Sequence, residues 1–211
     1  LRVLEAIRTF SPATKFFQAS SSEMFGENYE KTQNEETKFN PQSPYAISKL
    51  FGHYITKNYR KSFNLFAVSG ISFNHESPLR GEEFVTRKIT KGLVSITKGD
   101  LNNLELGNVY AKRDWGYAKE YTEAMWKTMQ LKKPEDFVIS TGKSYSIKEF
   151  VNECVKYLKI DAKWEGKNLD LKLIDKKSNK TIIKINKKYF RPSEVNYLCG
   201  NSYKAKKIIN W

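Results

Sequence analysis

The stretch Ser43-Pro44-Tyr45-Ala46-Ile47-Ser48-Lys49 lies between two short apolar runs, residues 15–19 and 65–71. Both runs have the length and the aromatic or β-branched content of buried strands. Ser43 can cap a helix and Pro44 suits its first position, which predicts a helix from residue 44 to about 62. Strand, loop, helix and strand at this spacing predict a right-handed crossover between parallel strands. The sequence therefore indicates an α/β fold built on a parallel sheet.

The rest of the chain continues this alternation without internal repeats. Ser146 and Glu149 form a capping-box pattern that opens a helix ending near residue 158. Residues 160–190 alternate in polarity as strands do, with a turn at 176–179. The other expected elements are helices over 1–10, 82–98 and 114–130, the last carrying Trp115 and Trp126, a strand over 136–140, and a short helix from about residue 202.

Composition narrows the class of protein. Of the 211 residues, 39% are hydrophobic and 14% aromatic, which is typical of a globular chain. Its apolar runs fall short of the roughly 20 residues that a membrane span needs. The net charge of +14 comes mostly from lysines spread along the chain, so we expect a solvated surface, or a local site for a phosphorylated ligand, rather than nucleic-acid binding.

The two cysteines, Cys154 and Cys199, form neither a Cys-x-x-Cys motif nor a Cys/His cluster. We therefore expect neither a metal site nor a disulfide framework, and a reducing cytoplasm fits this cysteine usage. The chain begins without Met and carries no glycine-rich dinucleotide motif between a strand and a helix, so we expect it to be a fragment.

Tyr45 and Lys49 are four residues apart, so on a helix they share one face. A lysine ammonium near a phenol favours the phenolate, which can take a proton from a sugar hydroxyl while hydride leaves the same carbon. Taken alone, such a pair is more often a solvated helical face. Its place one crossover after a strand that ends in serines and a glutamate favours the catalytic interpretation.

Ser20-Ser21-Ser22-Glu23 places hydroxyls and a carboxylate at the expected carboxyl end of the first strand. In open parallel sheets, ligands bind at that edge. The alternative is a helix-capping box formed by Ser20 and Glu23, but Gly26 and Asn28 interrupt any helical run. We therefore predict that this segment takes part in catalysis.

Several longer motifs extend these observations over nearly the whole chain, which resembles the GDP-mannose 4,6-dehydratase family of extended short-chain dehydrogenases/reductases. The Tyr-x-x-x-Lys motif alone would indicate only the superfamily, whereas the longer runs are more specific. The matching motifs are Gln18-Ala19-Ser20-Ser21-Ser22-Glu23-Met24-Phe25-Gly26, Pro41-Gln42-Ser43-Pro44-Tyr45, Phe73-Asn74-His75-Glu76-Ser77-Pro78, Phe84-Val85-Thr86-Arg87-Lys88-Ile89, Leu106-Gly107-Asn108, Arg113-Asp114-Trp115-Gly116 and Phe190-Arg191-Pro192-Ser193-Glu194-Val195.

The resemblance implies an α/β fold: the C-terminal part of a Rossmann-like parallel-sheet domain plus a smaller α/β substrate-binding lobe. Residues 1–74 would form part of an NADP-binding Rossmann domain. Residues 75–211 would form mainly the substrate lobe, with 108–131 packing back on the Rossmann domain. The resemblance also implies a cytoplasmic homo-oligomer, a dimer or tetramer, that acts on GDP-mannose.

The resemblance also implies roles for individual residues. Tyr45 deprotonates the mannose 4-hydroxyl as hydride passes to NADP, and Lys49 holds the nicotinamide ribose. Glu23 removes the C5 proton and helps to expel the 6-hydroxyl, and Ser21 hydrogen-bonds the substrate. His75 and Arg80 match cofactor-contacting positions. Positions matching the GDP-sugar pocket are Asn74, Val85, Lys88, Gly107, Arg113, Arg191 and Glu194.

Three positions depart from the family pattern. Ser21 replaces a usual Thr, Leu79 replaces the first arginine of an Arg-Arg-Gly run, and Tyr117 replaces a common His. Other functions remain open: a different nucleotide-sugar epimerase or dehydratase, or a truncated relative that binds nucleotide sugars without catalysis. Because elimination needs a base for C5, Glu23 favours a dehydratase over a simple epimerase. For the 211 residues alone we expect negligible activity.

Overall fold

The computed structural model describes residues 1–28, 30–190 and 193–211, which form two compact units. Unit 1 comprises residues 1–77, 112–144 and 195–211, and unit 2 comprises 78–111 and 145–194. The helices are α1 (Arg2–Phe10), α2 (Pro44–Phe63), α3 (Val85–Lys98), α4 (Ala118–Met129), α5 (Ile147–Tyr157) and α6 (Tyr203–Ile209). The strands are β1 (Phe16–Ser21), β2 (Ala67–Ser72), β3 (Asn74–Glu76), β4 (Leu104–Leu106), β5 (Lys112–Arg113), β6 (Trp115–Tyr117), β7 (Phe137–Ile139), β8 (Tyr145–Ser146), β9 (Ala162–Glu165), β10 (Lys172–Asp175) and β11 (Thr181–Ile185).

The main sheet of unit 1 is parallel, with strand order β1-β2-β7. β1 pairs with β2 from Phe16 opposite Ala67 to Ser21 opposite Ser72, which confirms the predicted parallel strand–helix–strand unit. Every residue of β2 is buried, as expected for a central strand covered on both faces. On β7, the Val138 N–H donates to Glu35 Oε1 at 2.7 Å, so a loop carboxylate takes up a backbone donor of that strand.

Helix α2 follows from local sequence signals. Ser43 Oγ accepts the Ala46 N–H at 3.1 Å, and Pro44 occupies the first helical position. The helix ends where Asn64 adopts the left-handed conformation, with φ of 51°, which Asn tolerates better than most residues. The predicted helix is thus confirmed, with its end at residue 63.

The expected helix over 114–130 is wrong at its beginning. Trp115 lies in β6, which pairs in parallel with β3, and α4 starts only at Ala118. β3 lies about 40 residues earlier in the chain, and pairing with it satisfies the backbone N–H and C=O groups of this segment. These long-range hydrogen bonds override the local helical pattern. Trp126 does lie on α4, but its side chain is 64% exposed.

Two of the apolar clusters of unit 1 lie on opposite faces of its sheet. One contains Met24, Phe25, Phe73 and Val138, with Leu50 of α2 packed against it. The other joins β2 and β7 to α4 and α6, and its members include Val68, Tyr121, Ala124, Phe137, Ile139, Ala205 and Ile209. The parallel sheet is therefore layered between helices, the arrangement of an α/β fold.

Unit 2 is a four-stranded sheet, with order β4-β11-β10-β9, and two helices. β10 and β11 are antiparallel and flank the turn at 176–179, so the predicted strand-rich segment is confirmed. Ser146 and Glu149 make both bonds of the capping box that opens α5. The core of this unit is formed by Ile89, Leu93, Leu104, Leu106, Val151, Leu173 and Ile183, among others.

The compact units reflect packing and do not follow the order of the chain. Residues 112–144 and 195–211 belong to unit 1 together with residues 1–77, because β7 pairs with β2 and α6 packs against β7. The assignment of one part to NADP and the other to substrate stays a prediction. In the described parts of the chain, none of the helices is both long and apolar enough to cross a membrane.

A partly buried ion pair joins three elements of unit 1. Arg60 on α2 donates from Nη1 to Asp136 Oδ1 and from Nη2 to Asp136 Oδ2, each at 2.7 Å. Arg60 also donates to the Ala67 carbonyl at 2.9 Å, and Asp136 Oδ1 accepts the Ser69 N–H at 3.1 Å. Burial alone would raise the pKa of Asp136, but its hydrogen bonds with Arg60 outweigh burial and the pKa lies below its ordinary value.

We expect Asp136→Ala to lower the free energy of unfolding of the natural polypeptide by about 2–3 kcal/mol, between the cost for an exposed pair and that for a fully buried one, because it leaves a partly buried guanidinium and the Ser69 N–H without their acceptor. Urea denaturation followed by circular dichroism measures the change. Glu165→Ala, which removes the exposed pair with Lys163, serves as a control with an expected cost below about 1 kcal/mol.

The same experiment repeated at several pH values tests the sign of the effect. Because the folded pKa of Asp136 is lowered, its stabilisation is complete above the unfolded pKa of about 3.9 and is lost as the pH falls through the folded value. The difference between wild type and Asp136→Ala should therefore shrink below about pH 4. Equal stabilities of the two proteins at neutral pH would contradict this account.

Candidate active site

The carboxyl end of β1 carries Ser21 and Glu23. Ser21 is the last residue of β1 and caps a short 3₁₀ turn, Ser22–Met24, by accepting the Glu23 N–H on its Oγ at 3.2 Å. The capping residue is thus Ser21 rather than Ser20, and the turn ends at Met24. Glu23 Oε1 lies 3.7 Å from Nε of Arg113, and Arg113 is only 8% exposed. The structure therefore places a largely buried guanidinium beside the carboxylate predicted to act as a base.

Tyr45 and Lys49 lie in the first two turns of α2, on one face. The Lys49 ammonium is 5.6 Å from the centroid of the Tyr45 ring and donates to the Ala19 carbonyl of β1 at 2.9 Å. Tyr45 is 54% exposed. α2 also packs against the Ser22–Met24 turn. The predicted Tyr/Lys pair and the segment with Ser21 and Glu23 thus meet at the same end of β1, the edge where parallel sheets bind ligands.

Asn74 and His75 follow at the end of β2, within β3. The Phe73 carbonyl lies 2.9 Å from His75 Nδ1, which assigns the proton to that nitrogen because a carbonyl can only accept. The imidazole stacks on the ring of Tyr121 with centroids 4.9 Å apart. Burial raises the pKa of the Tyr121 phenol, so this ring stays neutral. His75 is therefore held in one orientation by a backbone carbonyl and an aromatic face.

Unit 2 carries other predicted binding residues. Lys88 donates to the Glu105 carbonyl at 2.8 Å, and its ammonium lies 3.8 Å from the centroid of the Tyr189 ring. Gly107 packs so closely that an added Cβ would lie 2.3 Å from the Tyr189 carbonyl oxygen. A pocket of about 260 Å³ borders Gly107 and is lined by Asn108, Val109, Tyr110, Asn168, Leu169, Ile185 and Phe190.

The remaining predicted residues have separate settings. The Arg80 guanidinium lies 3.6 Å from the centroid of the Phe84 ring. Val85 is the first residue of α3, and Glu194 is half-buried. Arg191 lies outside the described residues.

One buried carboxylate escaped the sequence-based reasoning. Asp114 is fully buried and accepts from the Thr141 N–H at 2.9 Å, the Thr141 hydroxyl at 2.6 Å, the Gly142 N–H at 2.9 Å and the Gly200 N–H at 3.2 Å. These bonds anchor the backbone next to Arg113. In the sequence, the one feature that could have drawn attention to Asp114 was its position in the Arg113-Asp114-Trp115 motif.

A buried histidine was also missed. His53 Nδ1 lies 2.8 Å from Ser69 Oγ, which lies 2.7 Å from Ser20 Oγ. Burial lowers the pKa of His53, the nearby Asp136 carboxylate partly opposes that shift, and the net direction is downward. The signal in the sequence was its position four residues after Lys49, on the same helical face.

The comparisons with known proteins agree with the motifs. The family model described as GDP-mannose 4,6 dehydratase matches residues 1–211. A GDP-mannose 4,6 dehydratase of Drosophila melanogaster is 46% identical over 213 residues, and one of Homo sapiens is 47% identical over 213 residues. Both alignments cover all of this chain, which spans 54% and 57% of the length of these relatives.

Solved structures show the same fold at low sequence identity. The dTDP-glucose 4,6-dehydratase of Bacillus anthracis in complex with NAD superposes with a TM-score of 0.79 at 20% identity, covering 99% of this chain and 59% of that one. RMD of Pseudomonas aeruginosa, complexed with NADPH, gives a TM-score of 0.81 at 18% identity, with coverages of 99% and 64%. Because the family model matches the full length, the chain belongs to the GDP-mannose 4,6-dehydratase family.

Proposed function

We propose that the natural polypeptide containing this chain is a lyase that converts GDP-mannose to GDP-4-keto-6-deoxymannose. The observation that carries the proposal is the meeting of Glu23 with the Tyr45/Lys49 pair at the carboxyl end of β1. Abstraction of a C5 proton requires a base besides the one that acts at the 4-hydroxyl. A carboxylate beside a Tyr/Lys pair supplies both functions.

In this proposal Tyr45 takes the proton of the mannose 4-hydroxyl. Its exposed phenol can reach a substrate, and Lys49 places a positive charge near the ring. An ammonium has three N–H donors, of which the Ala19 carbonyl takes one. The other two can bind ribose hydroxyls of a cofactor or orient the phenol oxygen.

Glu23 would remove the proton from C5, which the 4-ketone makes acidic, and give it to the 6-hydroxyl as that group leaves as water. When hydride returns to C6, C5 would take up the proton that Tyr45 had accepted from the 4-hydroxyl, so that both residues end in their starting states. Ser21 would hydrogen-bond the sugar near C4. The nearby Arg113 can hold the Glu23 carboxylate in place and can also bind a phosphate of the substrate, because a guanidinium matches both anions.

The proposed cofactor is NADP, held by Tyr45, Lys49, His75 and Arg80. The half-buried Lys49 ammonium and the fixed imidazole of His75 fit the ribose and nicotinamide end of a dinucleotide. When bound, the cofactor supplies the acceptor for the C4 hydride and its donor at C6. The two structural neighbours bind NAD and NADPH, respectively, which supports a nicotinamide dinucleotide.

For the GDP part of the substrate we propose Asn74, Val85, Lys88, Gly107, Arg113, Arg191 and Glu194. Lys88 carries the charge that a diphosphate needs, and the pocket beside Gly107 offers aromatic and amide side chains suited to a planar base. The product would supply deoxyhexose synthesis, including GDP-fucose. The alternative, an epimerase acting on another nucleotide sugar, would not require Glu23.

We also propose a cytoplasmic homo-oligomer, a dimer or tetramer. Ile47, Phe51 and Tyr54 project from one side of α2 with more than half of each side chain exposed. Val3 and Phe10 of α1 are likewise exposed, and an apolar surface of this kind is typical of an interface. Two free cysteines, Cys154 and Cys199, suit a reducing compartment.

The first test concerns Glu23. With GDP-mannose and catalytic NADP, the natural polypeptide should form a product lighter by one water, detected by mass spectrometry. Glu23→Gln keeps the shape but removes the base, so we expect turnover to fall by about 10²–10⁴-fold. Glu153→Gln, an exposed change on α5, should have wild-type turnover. Equal turnover of the Glu23→Gln variant, or no dehydrated product from the wild type, would refute the proposal.

The second test concerns assembly. We expect size-exclusion chromatography with light scattering to give a mass of two or four chains. Phe51→Glu should shift the mass towards one chain, because a buried charge without a partner is costly at an interface. Tyr157→Glu, on the exposed end of α5, should leave the mass unchanged. A monomeric wild type would rule out the proposed oligomer.

A further inference from the structure

A chain of buried polar side chains lies beneath the candidate catalytic residues. Ser20 of β1, Ser69 of β2 and His53 of α2 are each at most 5% exposed. Their hydrogen bonds, at 2.7 Å between the two hydroxyls and 2.8 Å between Ser69 Oγ and His53 Nδ1, join one helix and two strands. Buried polar groups of this kind are costly if one partner is missing, so the geometry is strongly specified.

The same face of α2 makes two other polar contacts with the strands. Lys49 donates to the Ala19 carbonyl at 2.9 Å, and Arg60 donates to the Ala67 carbonyl at 2.9 Å. Residues 49, 53 and 60 are four and seven positions apart, which returns them to one helical face. His53 therefore lies between two attachments to backbone and adds a side-chain attachment to both strands.

α2 approaches β1 closely at this point. Gly52 precedes His53, and an added Cβ on Gly52 would lie 2.9 Å from Gln18 Nε2. Such a close approach limits the distance between helix and strand, and a hydrogen bond adds a preferred length and direction. The buried polar chain thus adds a directional constraint to the close packing of α2 on β1.

We propose that His53 is a positioning residue: through Ser69 and Ser20 it fixes the register of α2 on β1 and β2, and so places Tyr45 and Lys49 relative to Ser21 and Glu23. This inference rests on the proposed function for its catalytic consequence. Lys49 lies one helical turn before His53, and Ser21 follows Ser20 directly. A displacement of α2 at His53 would therefore move Tyr45 and Lys49 relative to Ser21 and Glu23, because each pair lies close to one end of the hydrogen-bonded chain.

The surroundings of His53 provide the controls. Its ring packs edge-on against Phe39 and Tyr54, with centroids 5.1 and 5.5 Å away. His53→Phe preserves these contacts and removes the bond to Ser69, whereas His53→Asn retains a polar atom near the position of Nδ1. Asn58→Ala, an exposed change on the same helix, leaves the network intact and serves as the matched control.

The first readout is hydrogen–deuterium exchange of the natural polypeptide, which needs no substrate. We expect His53→Phe to speed exchange of the amides of residues 47–50 and 18–21, and His53→Asn and Asn58→Ala to leave it near wild type. Uniform acceleration across both units would indicate a general loss of stability and would overturn the proposal. Unchanged exchange in His53→Phe would overturn it as well.

The second readout is turnover of GDP-mannose and of its 4-deuterated form. A misplacement on the order of 1 Å costs up to 10²-fold in rate, so we expect His53→Phe to lower kcat by about tenfold or more with KM changed less than about threefold. The deuterium isotope effect on kcat should rise because hydride transfer becomes slower, and His53→Asn should restore both values. Wild-type kcat and isotope effect in His53→Phe would refute the catalytic part of the proposal.

A wild type without dehydratase activity would instead refute the proposed function, while the exchange experiment still decides whether His53 fixes the helix.

Discussion

The partly buried, two-pronged ion pair between Arg60 and Asp136 is the interaction on which unit 1 depends. It joins α2, the segment before β7 and two backbone groups of β2, which are far apart in the sequence. Charges that lose part of their hydration stabilise a fold best when good geometry satisfies most of their donors and acceptors. Here the carboxylate also accepts a backbone N–H and the guanidinium also donates to a carbonyl. The pair therefore ties the last turn of α2 to β2 and to the segment before β7, and the smaller polar contacts act nearer to the beginning of the helix.

This arrangement bears on Tyr45 and Lys49, the proposed catalytic residues at the beginning of α2. Only the far end of the helix is held by the ion pair, so the orientation of Tyr45 and Lys49 requires further contacts nearer to β1. Lys49 and the Ala19 carbonyl supply one of these contacts, and the capping of the helix by Ser43 supplies local order. The proposed binding residues of unit 2 rest on a separate core, formed by α3, α5 and the four-stranded sheet. In each unit, a separate hydrophobic core thus supports the residues proposed for the site.

Much of the fold was predictable because its signals are local. Ser43-Pro44 specifies a helix start, and the Ser146/Glu149 capping box specifies another, whichever way the chain then packs. Trp115 was placed wrongly because its strand forms by pairing with β3, and no neighbouring residue indicates that pairing. The residues of the candidate site were found through motifs, whereas their contacts were not. The proximity of Arg113 to Glu23, and of His53 to Ser69, depends on elements that meet only after folding.

The bond between Glu35 and the Val138 N–H has a consequence for behaviour at high concentration. An outer strand with open backbone donors is a template for adding strands from other molecules. A side-chain carboxylate that already occupies such a donor on β7 makes this addition less favourable. Burial raises the pKa of Glu35, so its acceptor is weakened by protonation sooner than that of an ordinary glutamate on acidification. On acidification the Val138 N–H would then lose this acceptor while most surface carboxylates are still charged.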